Sequence, residues 1–347
     1  MAAMEDCPTR RIAIRAMSMA GILAAKPSIA FTGNRSRARD DRIVTPIPVR
    51  FDSAGIEIAG HLFLPDGGGA APPPAIVVGH PGSGVKEQTA GLYARHLAQQ
   101  GIITLAFDAA HTGESGGTLR GLEDPAQRIE DIKSAVSFLS VHPDVDPERI
   151  GLLGICASGG YAVNATATDP RIRALAMVSG VDIGTFFRQG YDGHQNPAVL
   201  ASMLDHAAKA RTATARGEGM ASFPVFPASE AEARAGGRYI HEGWDYYCTP
   251  RGEHPRAAKT MPWVSVDRIA GFDGFAFVGM IAPRPLLMIM GSDADTRWIG
   301  EKAFAAAAEP KHLHWIEGAS HVDLYDRDAY VTPVVTRLAG FFRDALD

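Results

Sequence analysis

"RIGLLGICASGGYA", Arg149–Ala162, changes character halfway along. The apolar run Ile150 to Leu153 halts at Gly154, and a thiol, a hydroxyl and two more glycines follow. A strand that turns directly into a helix needs small residues two before and two after the bend, because the turn is tight and strained. Centred on Cys156, those flanks are Gly154 and Ser158; centred on Ser158 they are Cys156 and Gly160, which also fit. The strand decides. Its apolar run ends at Gly154, so Cys156 stands at the bend and Ser158 falls in the first turn of the helix. The N–H groups of that helix are expected to lower the thiol pKa, and the thiolate is the attacking species. A lone cysteine is more often buried and inert. Here the glycines around it favour a nucleophile.

Outward from this stretch, short apolar runs recur: "AIVVGHP", "GIITLAFD", "IRALAMVSG", "RPLLMIMG" and "HLHWIEG". Continuous runs of this kind suit strands buried on both faces of a parallel sheet. Upstream, "TPIPVRF" and "IEIAGHLFLP" flank "DSAG" and read as an antiparallel hairpin. Helical periodicity separates the strands. Ala90, Tyr93, Ala94, Leu97 and Ala98 repeat at i, i+3, i+4, i+7 and i+8 before Gly101, and Ile129, Ile132, Val136 and Leu139 repeat likewise. A hairpin followed by strand–helix alternation predicts a doubly wound, mostly parallel α/β sheet.

One interval breaks the alternation. About 182–280 is rich in aromatics and histidine, as in "FFRQGYDGHQNP" and "GRYIHEGWDYYCTP". So long a structureless loop is improbable inside one domain. The segment is expected to form a mainly helical cap over the sheet edge where ligands bind, its aromatics shared between a small core and a pocket wall.

A thiol nucleophile needs a base and a group that orients the base. On sheets with such a turn the chain order is nucleophile, acid, histidine, the acid following a late strand and the histidine the last one. "HLHWIEGASHVDLYD" supplies His321 just beyond the final strand; His312 and His314 lie in or before it and read as structural. "LLMIMGSDADT" supplies Asp293 and Asp295, although the usual spacing from the strand-ending glycine falls on Ala294. Asp293 is preferred, with Asp295 close behind and Asp182 as a third option. Asp295 could instead cap the next helix. Two N–H donors must receive the oxyanion. Ala157 is expected to give one, and Gly82 or Ser83 in "GHPGSG" the other, since Pro81 has no N–H. His80 should brace that loop. Asp108 and His111 in "DAAHTGESGG" belong to the mouth of the pocket or to turn chemistry.

Together these residues resemble the α/β-hydrolase superfamily, and within it the dienelactone-hydrolase-like branch in which cysteine replaces the serine of the turn. "GHPGSGVKEQTAGLYA", "AFDAAHTGESGG", "GICASGGYA" and "GASHVDLYD" are similar to bacterial hydrolases of that branch and to fungal polyketide transferases and thiohydrolases. The resemblance covers about 45–347. It implies acyl transfer from an ester, lactone or thioester through a cysteine acyl-enzyme. Rival readings are an acyltransferase built on the same intermediate, a binding protein on the same scaffold, and attack by Ser158.

Composition narrows the field further. A formal net charge of −5 without a long basic block gives no footing to nucleic acid or anionic membrane. No apolar run reaches the ~20 residues of a membrane-spanning helix. No glycine fingerprint for a dinucleotide and no metal-ligand spacing stands out, so no cofactor or metal is expected. The expected partner is a small acyl substrate. Residues 1–30 read as an export signal: Arg10 and Arg11, a mildly apolar stretch, then small residues ending at Ala30. A linker, 31–44, would follow. Three cysteines in 347 residues imply no disulfide framework.

Overall fold

The computed structural model describes residues 44–65 and 72–347. The export signal expected over 1–30 and nearly all of the linker over 31–44 lie outside the described residues.

The predicted hairpin is β1 (Ile47–Ser53) and β2 (Ile56–Phe63), paired antiparallel from Ile47 opposite Leu62 to Ser53 opposite Ile56. The apolar runs become β3 (Ala75–Gly79), β4 (Ile103–Phe107), β5 (Ile150–Ile155) and β6 (Ala174–Val178). Between them run α1 (Thr89–Gln99), α2 (Pro125–Ser140) and α3 (Ser158–Thr168). A cap follows, made of α4 (Ile183–Gln189), α5 (Pro197–Ala215), β7 (Ser222–Pro224), α6 (Glu230–Ala235), α7 (Arg238–Cys248), β8 (Thr260–Pro262) and α8 (Val264–Ala270). The chain then returns to the sheet as β9 (Leu286–Gly291), α9 (Arg297–Ala306), β10 (Lys311–Ile316), α10 (Asp323–Asp326) and α11 (Asp328–Leu346).

The eight-stranded sheet has the order β1-β2-β4-β3-β5-β6-β9-β10. Only the pairs β1–β2 and β2–β4 are antiparallel. Burial explains which strands the sequence reveals. Every residue of β3, β4, β5, β6 and β9 is buried, as two covered faces require, whereas the edge strands β1 and β10 mix buried and exposed positions. His312 and His314 belong to edge strand β10, His312 exposed and His314 half-buried.

Winding reverses around β3: its connection leads to β4 on one side, and that of β4 leads to β5 on the other. The carboxyl ends of β3 and β5 therefore flank the crevice in which such sheets bind ligands. The cap closes over it. Within α7, Tyr239, Gly243 and Tyr247 recur at i, i+4 and i+8 and form one wall of the cavity. Part of the cap's aromatic content serves its own packing instead. Trp263 lies against Phe223 with ring centroids 4.4 Å apart and against His206 at 4.7 Å. Among the described residues, no helix is long and apolar enough to cross a membrane.

Candidate active site

The bend after β5 is tight enough that a Cβ on Gly154 would lie 2.4 Å from the Ser158 carbonyl oxygen. Cys156 sits at its point with φ +54°. A non-glycine residue there costs about 1–3 kcal/mol and persists only where its surroundings over-determine it. They do. The Cys156 N–H donates to the Val178 carbonyl at 3.1 Å, and the Cys156 carbonyl accepts from Gly159 at 2.8 Å and Val181 at 2.9 Å.

This geometry turns the Cys156 side chain into a cavity of about 200 Å³ between sheet and cap. Its walls are almost wholly apolar, among them Phe186, Phe187, Phe226, Tyr239, Ile240 and Met261, and among the described residues no charged side chain lines it. Cys156 itself is 8% exposed. Burial pushes its thiol above the ordinary range, partly offset by the neighbouring Tyr325 hydroxyl and the N–H groups of Ala157 and Gly82, which favour the thiolate form. The expectation of a lowered thiol pKa is thus corrected. Helix-end donors do reach the sulfur, but loss of water outweighs them.

Ala157, anticipated as one oxyanion donor, and Gly82, anticipated with Ser83 for the other, both have N–H groups near enough to favour the thiolate of Cys156. Ser83 lines the cavity at φ +61°, and its carbonyl accepts from the Ala258 N–H at 3.0 Å, fastening this loop to the cap.

His321 follows β10 and is 1% exposed. Its carbonyl accepts from the Ser179 hydroxyl at 3.0 Å, tying the histidine loop to the end of β6. The Nδ1 atom is 2.6 Å from Thr296 Oγ1, and the Nε2 atom is 3.1 Å from the Tyr325 hydroxyl. Tyr325 also lines the cavity with Cys156, its hydroxyl close enough to influence the thiol. Cysteine and histidine are therefore brought together through a tyrosine. Burial lowers the His321 pKa to about 3, so the imidazole is neutral at physiological pH.

None of the three aspartates considered from sequence hydrogen-bonds to this imidazole. After β9 the chain turns so that Ala294 and Thr296 face inward and are buried, while Asp293 faces solvent. Asp295 pairs with Arg238 of the cap at 2.6 Å. Asp182 is buried at the start of α4, where it accepts from the N–H groups of Gly184, Thr185 and Gly274. Nor does Asp295 cap α9, whose N-cap position is Thr296. The orienting partner of His321 is the Thr296 hydroxyl, a residue sequence reasoning missed.

Ser158 is accounted for elsewhere. Its hydroxyl donates to the His80 carbonyl at 2.6 Å and accepts from Arg128 at 2.9 Å. His80 braces the loop as expected, with Nε2 accepting from the Ala109 N–H at 3.1 Å; burial and the neighbouring Arg128 hold it well below the usual histidine range. Asp108 belongs to the turn chemistry of its loop, accepting from the N–H groups of Lys86 and Glu114, each at 2.8 Å. His111 stands in the same loop at φ +70°. One cluster was not visible from spacing: ligating atoms of His61, Glu87 and Glu114 lie within 4.8 Å of one another. The Lys86 ammonium already supplies a cation there, 2.8 Å from Glu87 and 2.6 Å from Glu114. Burial alone would lower the Lys86 pKa, but Asp108, Glu114 and Glu87 together raise it.

A mostly parallel sheet with a strained turn after β5 and a histidine after its last strand defines an α/β-hydrolase. The chain belongs to the dienelactone hydrolase family, whose family profile matches residues 58–185. It is 38% identical over 273 residues to protein YcjY of Escherichia coli (strain K12), an alignment covering 78% of this chain and 89% of that protein. Protein PA2218 of Pseudomonas aeruginosa is 39% identical over 296 residues, covering 84% and 78%. The crystal structure of PA2218 superposes with a TM-score of 0.81, covering 90% of this chain and 99% of that one. Thiohydrolase aneE of Aspergillus aculeatus is 28% identical over 304 residues, covering 84% and 91%. The protein is an enzyme of the ester-type hydrolase or acyltransferase kind.

Proposed function

We propose that the protein cleaves a carboxylic ester, lactone or thioester of an uncharged, apolar acyl group through an acyl-enzyme on Cys156. The observation that carries this reading is the convergence on one sulfur. A strained turn presents Cys156 to the cavity, and the nearness of the Ala157 and Gly82 N–H groups to its sulfur supports their receiving the charge that a carbonyl oxygen takes on. His321 receives the thiol proton and later activates water, oriented by Thr296 in place of the expected Asp293 or Asp295. The buried, neutral thiol and neutral imidazole support proton transfer during attack rather than a standing thiolate–imidazolium pair.

The cavity wall supports the substrate class. Without a charged side chain to receive it, a carboxylate on the acyl group would be desolvated at a cost of several kcal/mol. The same dry wall also favours a second reading: an alcohol or amine held in the cavity would intercept the acyl group ahead of water. The test is intact-mass spectrometry during turnover of neutral acyl thioesters and aryl esters. An acyl adduct mapped to Cys156, absent from Cys156→Ala, is the expected result, and turnover by Cys156→Ala would overturn it. Adding alcohol acceptors and quantifying transfer against hydrolysis products separates the two outcomes of the intermediate. The export reading of 1–30 remains a proposal too, checked by whether the mature N-terminus begins near Phe31.

A further inference from the structure

We infer that Tyr325 is a catalytic residue that carries the proton between Cys156 and His321. The inference rests on the acyl-enzyme reading above. Tyr325 lines the same cavity as Cys156, its hydroxyl close enough to influence the thiol, and that hydroxyl lies 3.1 Å from His321 Nε2. A hydroxyl donates one hydrogen bond while accepting others, so it can stand between a donor and an acceptor of protons. With His321 Nδ1–H donating to Thr296, Nε2 is free to accept from Tyr325, which leaves the lone pairs of the Tyr325 oxygen available to the thiol proton. Every group in the chain is then satisfied.

As the sulfur attacks the substrate carbonyl carbon, the S–H bond breaks and its proton passes to Tyr325 Oη. The original Tyr325 proton passes to His321 Nε2. The carbonyl π pair moves onto oxygen, beside the Ala157 and Gly82 N–H groups. When the tetrahedral adduct collapses, the chain runs backward: Nε2–H returns its proton to Oη, and the tyrosine protonates the departing alkoxide or thiolate. The tyrosine ends each pass as it began, and protons and charges balance.

The position of this hydroxyl is built. The Tyr325 carbonyl accepts from Thr89 Oγ1 at 3.0 Å, and the Leu324 carbonyl accepts from the Tyr93 hydroxyl at 2.7 Å. Arg251 of the cap grips Asp326 with two nitrogens, at 2.9 and 2.6 Å. The ring meets Tyr246 and His321 edge to face. Burial holds the phenol well above its usual pKa, so the hydroxyl keeps a proton to pass on.

The test measures single-turnover acylation of Cys156 by intact mass in the wild type and in Tyr325→Phe, with proton inventories in mixed H2O and D2O. Loss of a proton-transfer group predicts an acylation rate lower by ~10²-fold or more. KM should move less than about threefold, and the inventory should go from curved to linear. Acylation within about threefold of wild type would overturn the relay while leaving the cysteine reading intact. Wild-type turnover without an adduct on Cys156 would overturn both. Should Tyr325→Phe fold poorly, fluorinated tyrosines at 325 keep the shape; the relay predicts rates that follow phenol acidity, and equal rates would sink it.

Discussion

Thr296 Oγ1 lies 2.6 Å from His321 Nδ1, in the position where the family pattern leads one to expect a carboxylate. A hydroxyl fixes the ring's orientation without offering a charge to balance an imidazolium. That single contact reconciles the buried neutral histidine with the absence of any hydrogen bond between its ring and Asp293, Asp295 or Asp182.

Substitution can separate the orienting group from the aspartates. Asp293→Asn and Asp295→Asn should keep kcat/KM within about threefold of wild type, since one side chain faces solvent and the other makes a partly exposed pair with Arg238. Thr296→Val should lower kcat/KM by ~10-fold or more. The loss should remain below the ~10⁴-fold typical of disabling a triad carboxylate. Steady-state kinetics on a common aryl ester would decide it. A larger loss in Asp293→Asn than in Thr296→Val would reject the assignment.

Ser158 gives a second separation, between stability and chemistry. Its hydroxyl is the partner of both the His80 carbonyl and the Arg128 guanidinium inside the fold. Ser158→Ala should cost about 1–3 kcal/mol, the penalty for leaving buried polar groups unpaired. Thermal unfolding should show a lower Tm, while the acyl adduct still forms on Cys156. Loss of the adduct from a well-folded Ser158→Ala protein would revive serine as the attacking residue.

Much of this fold could be read directly from the chain because its signals were local. Strands β3 to β6 and β9 are buried on both faces, so their sequences are continuous apolar runs; the bend at Cys156 needs Gly154 for clearance that any side chain would lose. Thr296 was harder, because facing inward is decided by how the chain leaves β9, which no periodicity records. Tyr325 left a trace: it stands four residues beyond His321, about one turn of chain, although His321 itself precedes α10. What the spacing could not give is that Tyr325 lines the cavity beside Cys156. The cap's division of aromatics between core and cavity was likewise beyond reach, since Phe223 serves both.

Acid should weaken the fold in a definite window. His321 has a folded pKa of about 3 against an ordinary 6.5, and His80 is lowered as well. Between those values the unfolded chain binds protons that the folded chain refuses. Stability is therefore full above about pH 6.5 and declines as pH falls toward 3, by up to about 1.4 kcal/mol per pH unit for each histidine. Urea midpoints at pH 7.5, 6 and 5 should fall in that order. His321→Gln should show a shallower fall than wild type, and an identical slope would mean that His321 protonates freely in the folded state.

Gly243 offers a way to trim the cavity without disturbing the reacting groups. It lies on the cavity-facing side of α7, and a Cβ added there would meet only Phe226, at 3.8 Å, an ordinary contact. Replacing a helix-interior glycine by alanine also favours the helix by about 0.5–1 kcal/mol. Gly243→Ala should thus raise Tm slightly while removing roughly a methyl group's space from the cavity. Rates on short acyl esters should hold within about twofold, and KM for the bulkiest acyl group accepted by wild type should rise severalfold. Comparing kcat/KM across a series of increasing acyl length tests this. A uniform change at every chain length would mean that the acyl group does not lie along α7, and the cavity would have to receive the leaving group instead.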